Sequence, residues 1–264
     1  MKHGLKALCV AVGLVLSGQV LADTTWTLNA TETGVTSGGI TETTTGWANT
    51  STSNSPFTNP TTDQFALEAQ TGRLSAYPGI GMNNLDACPG QTTCDVNEGI
   101  SPEHAVDNNE RYEMLLLSFT SKVKLTKITT SYGSPDSDMT VLAYTGPGTY
   151  TFGTNTTWST LGSGWTVIGN YGTAALTTGG TTLALNTTSS STQWLIGAYN
   201  PLAGGTTNGL TLGDDSIKFL SVDACVPGTP GCTTTTTQVP EPGSLALFGL
   251  AAIGMAALRR RQRA

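Results

Sequence analysis

Residues 101–110, SPEHAVDNNE, hold the densest group of side chains able to move protons or hold an ion. His104 is the one histidine beyond the first few residues, so a multi-histidine metal centre is out of reach. His104 and Asp107 supply two members of a nucleophile–base–acid set, but no Gly-x-Ser-x-Gly elbow accompanies them. His104, Asp107 and Asn108 therefore form a candidate loop site whose commoner role is hydrogen bonding at a sheet end. No catalytic residue is assigned. Glu98, Glu103, Glu110 and Glu113 could furnish a glycoside-hydrolysing pair, yet nothing in their spacing singles two of them out.

Asp136 and Asp138 alternate across a turn, with Asp107, Asn108, Asp214 and Asp215 as further loop oxygens. They make a candidate structural calcium site. Calcium takes six to eight oxygens, no EF-hand spacing is present, and solvated turn carboxylates are the competing reading. No other cofactor is expected. Trp158, Trp165 and Trp194 would serve equally as sugar-stacking rings or as core.

Four cysteines fall into two close pairs, Cys88 with Cys94 and Cys225 with Cys232, each enclosing a Pro-Gly turn. An even count in an exported chain reads as disulfides. Zinc competes poorly, because the spacings exceed two to four residues and no histidine lies near either pair. Three connectivities are open, and local pairing is the favoured one.

The elements that would position these residues are short strands. YEMLLLSF at 112–119 is a buried-strand run, and residues 122–125 alternate polar with apolar. The apolar phase slips before Ile128, which predicts a bulge or short turn. Further strands are expected at 26–31, 64–69, 128–132, 139–144, 165–168, 194–199 and 217–222, parted by Gly, Pro, Asn and Thr. Residues 23–62 read as a loop-rich edge or a partly disordered stretch. Helical periodicity is missing between the termini. The expected fold is all-β, an antiparallel β-sandwich or jelly roll over residues 23–224. Residues 225–238 would be a disulfide loop and Thr-rich linker.

The two ends carry targeting signals. A basic start, an apolar run at 7–16 and Val20-Leu21-Ala22 form a signal peptide over residues 1–22, to be removed by signal peptidase. Cys9 precedes most of that apolar run and makes no lipoprotein box. At the other end stand Val239-Pro240-Glu241-Pro242, an uncharged apolar run at 244–258, and Arg259, Arg260 and Arg261. The run predicts a transmembrane helix, slightly short for a full hydrocarbon core, with its arginines held in the cytoplasm.

Pro-Glu-Pro, apolar run and terminal arginine cluster, in that order, resemble the PEP-CTERM sorting tail recognised by exosortases of Gram-negative bacteria. The resemblance covers residues 239–264. It implies export, passage through the inner membrane as an intermediate, and cleavage near Pro-Glu-Pro for release or attachment at the surface. A plain C-terminal anchor is the competing reading. A second resemblance, to a group of exosortase-dependent surface proteins, rests on residues 101–108, the LLLSF at 115–119, Asp136-Ser137-Asp138, residues 141–144, 194–200 and 218–222. It departs at Glu110, where that group often has Gly. It implies a surface protein without a particular reaction, in a setting of exopolysaccharide or biofilm.

Without leader and tail, 6 of the 12 basic residues remain against 17 of the 18 acidic ones, a net charge of −11. Such a body repels nucleic acid and anionic membrane surfaces. The sequence thus supports a non-catalytic surface or matrix protein. Its alternatives are a carbohydrate-binding module and a secreted glycoside hydrolase.

Overall fold

The computed structural model describes residues 23–50, 65–76, 78–86, 104–172, 180–205, 209–230 and 232. The signal peptide, the sorting tail and the transmembrane helix expected within it lie outside these. Among the described residues, no helix is long and apolar enough to cross a membrane.

The chain forms β1 (Thr24–Thr27), β2 (Val35–Ser37), β3 (Ile40–Ala48), β4 (Glu68–Ala69), β5 (Leu74–Ala76), β6 (Ile80–Met82) and β7 (Val106–Asp107). These lead into β8 (Glu113–Gly133), β9 (Met139–Tyr144), β10 (Trp165–Tyr171), β11 (Thr182–Ala184), β12 (Ser191–Ala198) and β13 (Ser216–Cys225). A single helical turn, α1 (Pro201–Gly204), follows β12 and is capped by the Asn200 side chain. All strand pairings are antiparallel. The all-β expectation holds.

β8 organises everything else. Its first half pairs with β3 on one side and β12 on the other, and β12 continues through β9 to β10. Its second half leaves that sheet and pairs with β11 and β13, whose far side takes β1, β6 and β7. One strand thus belongs to two sheets. Side chains from both meet in a single core that includes Trp26, Leu115, Leu117, Leu125, Ile128, Val141, Trp194, Ile196, Phe219 and Val222. The phase slip before Ile128 is a bulge: Asp223 pairs with Lys127 but Ala224 with Leu125, which leaves Thr126 over. Its hydroxyl bonds Asp23 Oδ2 at 2.6 Å and the Asp223 carbonyl at 3.2 Å.

The unbroken apolar run at 112–119 has a physical reason. Leu115, Leu117 and Phe119 face the main core, while Tyr112, Met114 and Leu116 join Leu67, Leu142, Trp158, Leu161 and Leu195 in a second cluster behind the sheet. A strand covered on both faces needs no polar alternation.

The N-terminal stretch departs from expectation. Within 23–50, β3 is an interior strand between β8 and the pair β2 and β4, not a loop-rich edge. Its sequence, ITETTTGWA, alternates buried with half-buried residues along its whole length. Threonine suits a pleated strand, but it stands on both faces here and hides the periodicity from a hydrophobicity reading. β1 also ends sooner than expected: Asn29 Oδ1 accepts from the Thr31 backbone N–H at 3.1 Å and its hydroxyl at 2.7 Å, an Asx turn that closes the strand region.

Candidate functional site

The polar loop and the aspartate turns meet at one end of the fold. β7 docks Val106 and Asp107 against Ile217 and Ser216 of β13, which carries Asn108 into the junction between β12 and β13. Asn108 is fully buried. Its amide donates to the Tyr199 carbonyl at 2.8 Å and to Asp215 Oδ2 at 2.7 Å. Its oxygen accepts from the Gly213 and Asp215 backbone N–H groups, both at 3.1 Å. Every donor and acceptor of the side chain is engaged, so Asn108 fastens three segments together.

Its neighbours add further hydrogen bonds. Asp107 Oδ1 accepts from the Asn109 N–H at 3.2 Å, and Glu113 Oε2 from the Asp107 N–H at 3.3 Å. Arg111 and Asp86 form a buried ion pair at 2.7 Å, and the guanidinium lies 5.1 Å from the centre of the Phe65 ring. Asn49 accepts from the Tyr112 N–H at 2.7 Å. The His104 Nδ1 is buried with no hydrogen-bond partner, so no His104–Asp107 catalytic contact runs through that atom. Glu113 is buried, and Glu98 and Glu103 lie outside the described residues.

Asp136, Asp138 and Asp215 come together from segments far apart in sequence, each with a carboxylate oxygen within 4.8 Å of the others. The convergence follows from the backbone. Asp136 forms an isolated bridge with Asp215, the Asp136 N–H donates to the Asp214 carbonyl at 3.1 Å, and the Ser216 N–H donates to the Asp136 carbonyl at 3.2 Å. Asp215 Oδ1 accepts from the Asp138 N–H at 2.7 Å. Burial pushes the Asp215 carboxyl up to about 8, helped by the Asp138 and Asp136 charges and opposed by the Asp138 N–H and Asn108 bonds. Both Asp215 oxygens nevertheless receive donors, as an ionised carboxylate does. A shared proton or a hard cation among the three carboxylates reconciles these demands. Asp136, Asp138 and Asp215 are therefore the residues that could hold an ion. The sequence offered Asp215 only as one loop oxygen among several, since nothing local ties it to residues 136–138.

The tryptophans divide. Trp158 and Trp194 are buried, with their indole N–H groups bonded to the Tyr112 and Ser191 carbonyls at 3.1 and 3.2 Å. They are core, which removes the platform of Trp158, Trp165 and Trp194. Trp165 remains partly exposed. Cys225, the last residue of β13, is disulfide-bonded to Cys232, and Cys88 and Cys94 lie outside the described residues.

Compared with known families, residues 238–261 match the PEP-CTERM protein-sorting motif. No curated protein matches the chain. The motif takes in Val239, Pro240, Glu241, Pro242 and Arg259 to Arg261, all outside the described residues. It marks an exported protein that exosortase sorts toward the cell surface.

Proposed function

We propose that this protein is a non-catalytic component of the cell surface or of an extracellular polysaccharide matrix. The sorting motif at 238–261 carries the proposal, because it fixes a destination outside the cell. Signal peptidase removes residues 1–22, the tail holds the chain in the inner membrane as an intermediate, and exosortase cuts near Pro240–Pro242. The β-sheet body then acts by binding or by structure. Two features support a role without catalysis. The hydrogen-bonding capacity of Asn108 is fully engaged within the fold, and the His104 Nδ1 has no acid or nucleophile bonded to it.

Intact mass of the protein from its own host, with and without exosortase, tests this reading, together with its distribution between membrane and matrix. The expected result is loss of leader and tail and recovery with the matrix, both dependent on exosortase. A chain still ending at Ala264 in both strains and held in the membrane would overturn it. Release of reducing ends from matrix polysaccharide by the purified protein would replace it with the hydrolase reading.

A further inference from the structure

We infer that the strip of partly exposed rings over the second cluster, on the outer side of the sheet built by β3, β8, β12, β9 and β10, is a binding face for an uncharged polysaccharide, carried by Trp47, Phe152, Tyr150, Trp165 and Tyr144. The inference rests on the matrix reading above and names its ligand class. Strand alternation decides which residues face outward. On β9, Met139, Val141 and Ala143 lie in the main core, which turns Leu142 and Tyr144 to the other side. Trp165 is the cross-strand partner of Tyr144 and shares its face. On β3, Ile40 and Ala48 point into the core, so Trp47 points out.

The connection between β9 and β10 then crosses this face. Gln193 fixes it by accepting from the Tyr150 N–H at 2.6 Å and donating to the Tyr150 carbonyl at 3.1 Å. The Leu67 N–H donates to the Thr156 carbonyl at 2.7 Å, and Trp158 is anchored below. Tyr150 and Phe152 are thereby set between the two edges of the sheet. Ring centres run from Trp47 to Phe152 at 4.1 Å, Phe152 to Tyr150 at 5.1 Å, and Tyr150 to Trp165 and Tyr144 at 5.5 and 5.3 Å. All five rings stay partly exposed, whereas Trp26, Trp158 and Trp194 are buried.

Charge identifies the occupant. Residues 139–213, which supply four of the five rings and the strands β9 to β12, contain no Asp, Glu, Lys, Arg or His. The body is otherwise strongly acidic. The charge-free span that carries four of the five rings offers nothing to an anionic polymer, a phosphate or a metal. What it offers is ring stacking, with a hydroxyl on the same face: Thr45, two residues before Trp47, accepts from its indole N–H at 3.3 Å. Stacking and hydroxyl hydrogen bonds are the two interactions a neutral sugar chain presents.

Affinity electrophoresis of the processed protein tests the inference. The gels contain hydroxyethyl cellulose, dextran, the neutral polysaccharide of the host's own matrix, or alginate. Retardation is expected in at least one neutral gel and not in alginate, with Trp47→Ala and Trp165→Ala each weakening it at least tenfold. Because Trp165→Ala could loosen the loop, wild-type tryptophan emission is followed in parallel and should shift on adding the retarding polymer. No retardation in any neutral gel, an unshifted emission, equal retardation of a folded Trp47→Ala protein, or preference for alginate would each overturn the binding face. So would a dimer abolished by the same variants, which would mark the face as a protein contact. Matrix recovery that persists in these variants leaves the surface assignment standing while removing this site.

Discussion

Two buried polar residues show how differently the same fold treats hydrogen bonding and charge. Asn108 has all its hydrogen-bonding capacity met, and its removal strands the Asp215 carboxyl, the Tyr199 carbonyl and two backbone N–H groups. Buried groups left unsatisfied cost about 1–3 kcal/mol each, partly relieved by water, so Asn108→Ala should lose about 3 kcal/mol in urea unfolding. An unchanged midpoint would mean the loop is not what fastens this end of the fold. Glu42 is the opposite case. It lies on the core face of β3, opposite Phe119, 1% exposed, and its carboxylate accepts from the Thr44 hydroxyl at 2.8 Å. Burial pushes its carboxyl up from 4.5 to about 7, against the Thr44 bond. Between these values the folded chain holds more protons than the unfolded one, so stability falls as pH rises from 4.5 through 7. The loss attributable to this residue is on the order of 3 kcal/mol. Glu42→Gln keeps the acceptor for Thr44 and should raise stability at pH 8 by that order while flattening the slope. Urea midpoints across this range that match those of the wild type would sink the assignment.

Strand pairing between β8 and β12 is close enough to dictate a glycine. A Cβ at Gly197 would run into the Glu113 carbonyl and the Met114 backbone. Gly197→Ala should therefore destabilise the protein by about 1–3 kcal/mol, the usual cost of overpacking, although alanine is ordinarily the better strand residue. A neutral or stabilising result in thermal unfolding would show that the two strands can part at no cost. The elements differ in how far they announce themselves. β8, β9, β12 and β13 are rich in Leu, Ile, Val and Phe and were legible as strands, and the slip between Leu125 and Ile128 even located the bulge at Thr126. β3 was not legible, because Thr41, Thr43, Thr44 and Thr45 give both faces one polarity and its buried positions include Glu42. The short strands β2, β5, β6, β7 and β11 span only two or three residues each, too few for any period to register, and β4 is the two-residue part of the strand expected at 64–69. The candidate ion site was half legible: Asp136 and Asp138 are neighbours in a turn, but Asp215 reaches them only through the pairing of distant segments.

At the scale of the whole molecule, the first and last described strands lie side by side. Thr24 pairs with Ala224 and Thr27 with Ser221, so the exported body begins and finishes on adjacent strands of the sheet that holds β13. The aromatic face lies on the far side of the other sheet, with the main core between. The same closure predicts independence from the targeting segments. Among the described residues, every strand and both hydrophobic clusters fall within residues 24–226. A chain of residues 23–232 should fold without leader or tail and unfold in one cooperative transition with the midpoint of the processed protein. Two transitions, or a lower midpoint, would mean that the removed segments complete the core. The disulfide at the exit of β13 bears on this only locally. Cys225 and Cys232 are 7 residues apart. Closing so short a loop is worth about 2.5 kcal/mol by chain entropy. Reduction or Cys232→Ser should thus lower the midpoint of the same fragment while leaving a single transition, because β13 is already held by β8 and β1 upstream of the bond. Loss of cooperativity on reduction would show instead that the bond keeps the last strand in the sheet, and with it the register that joins the two ends.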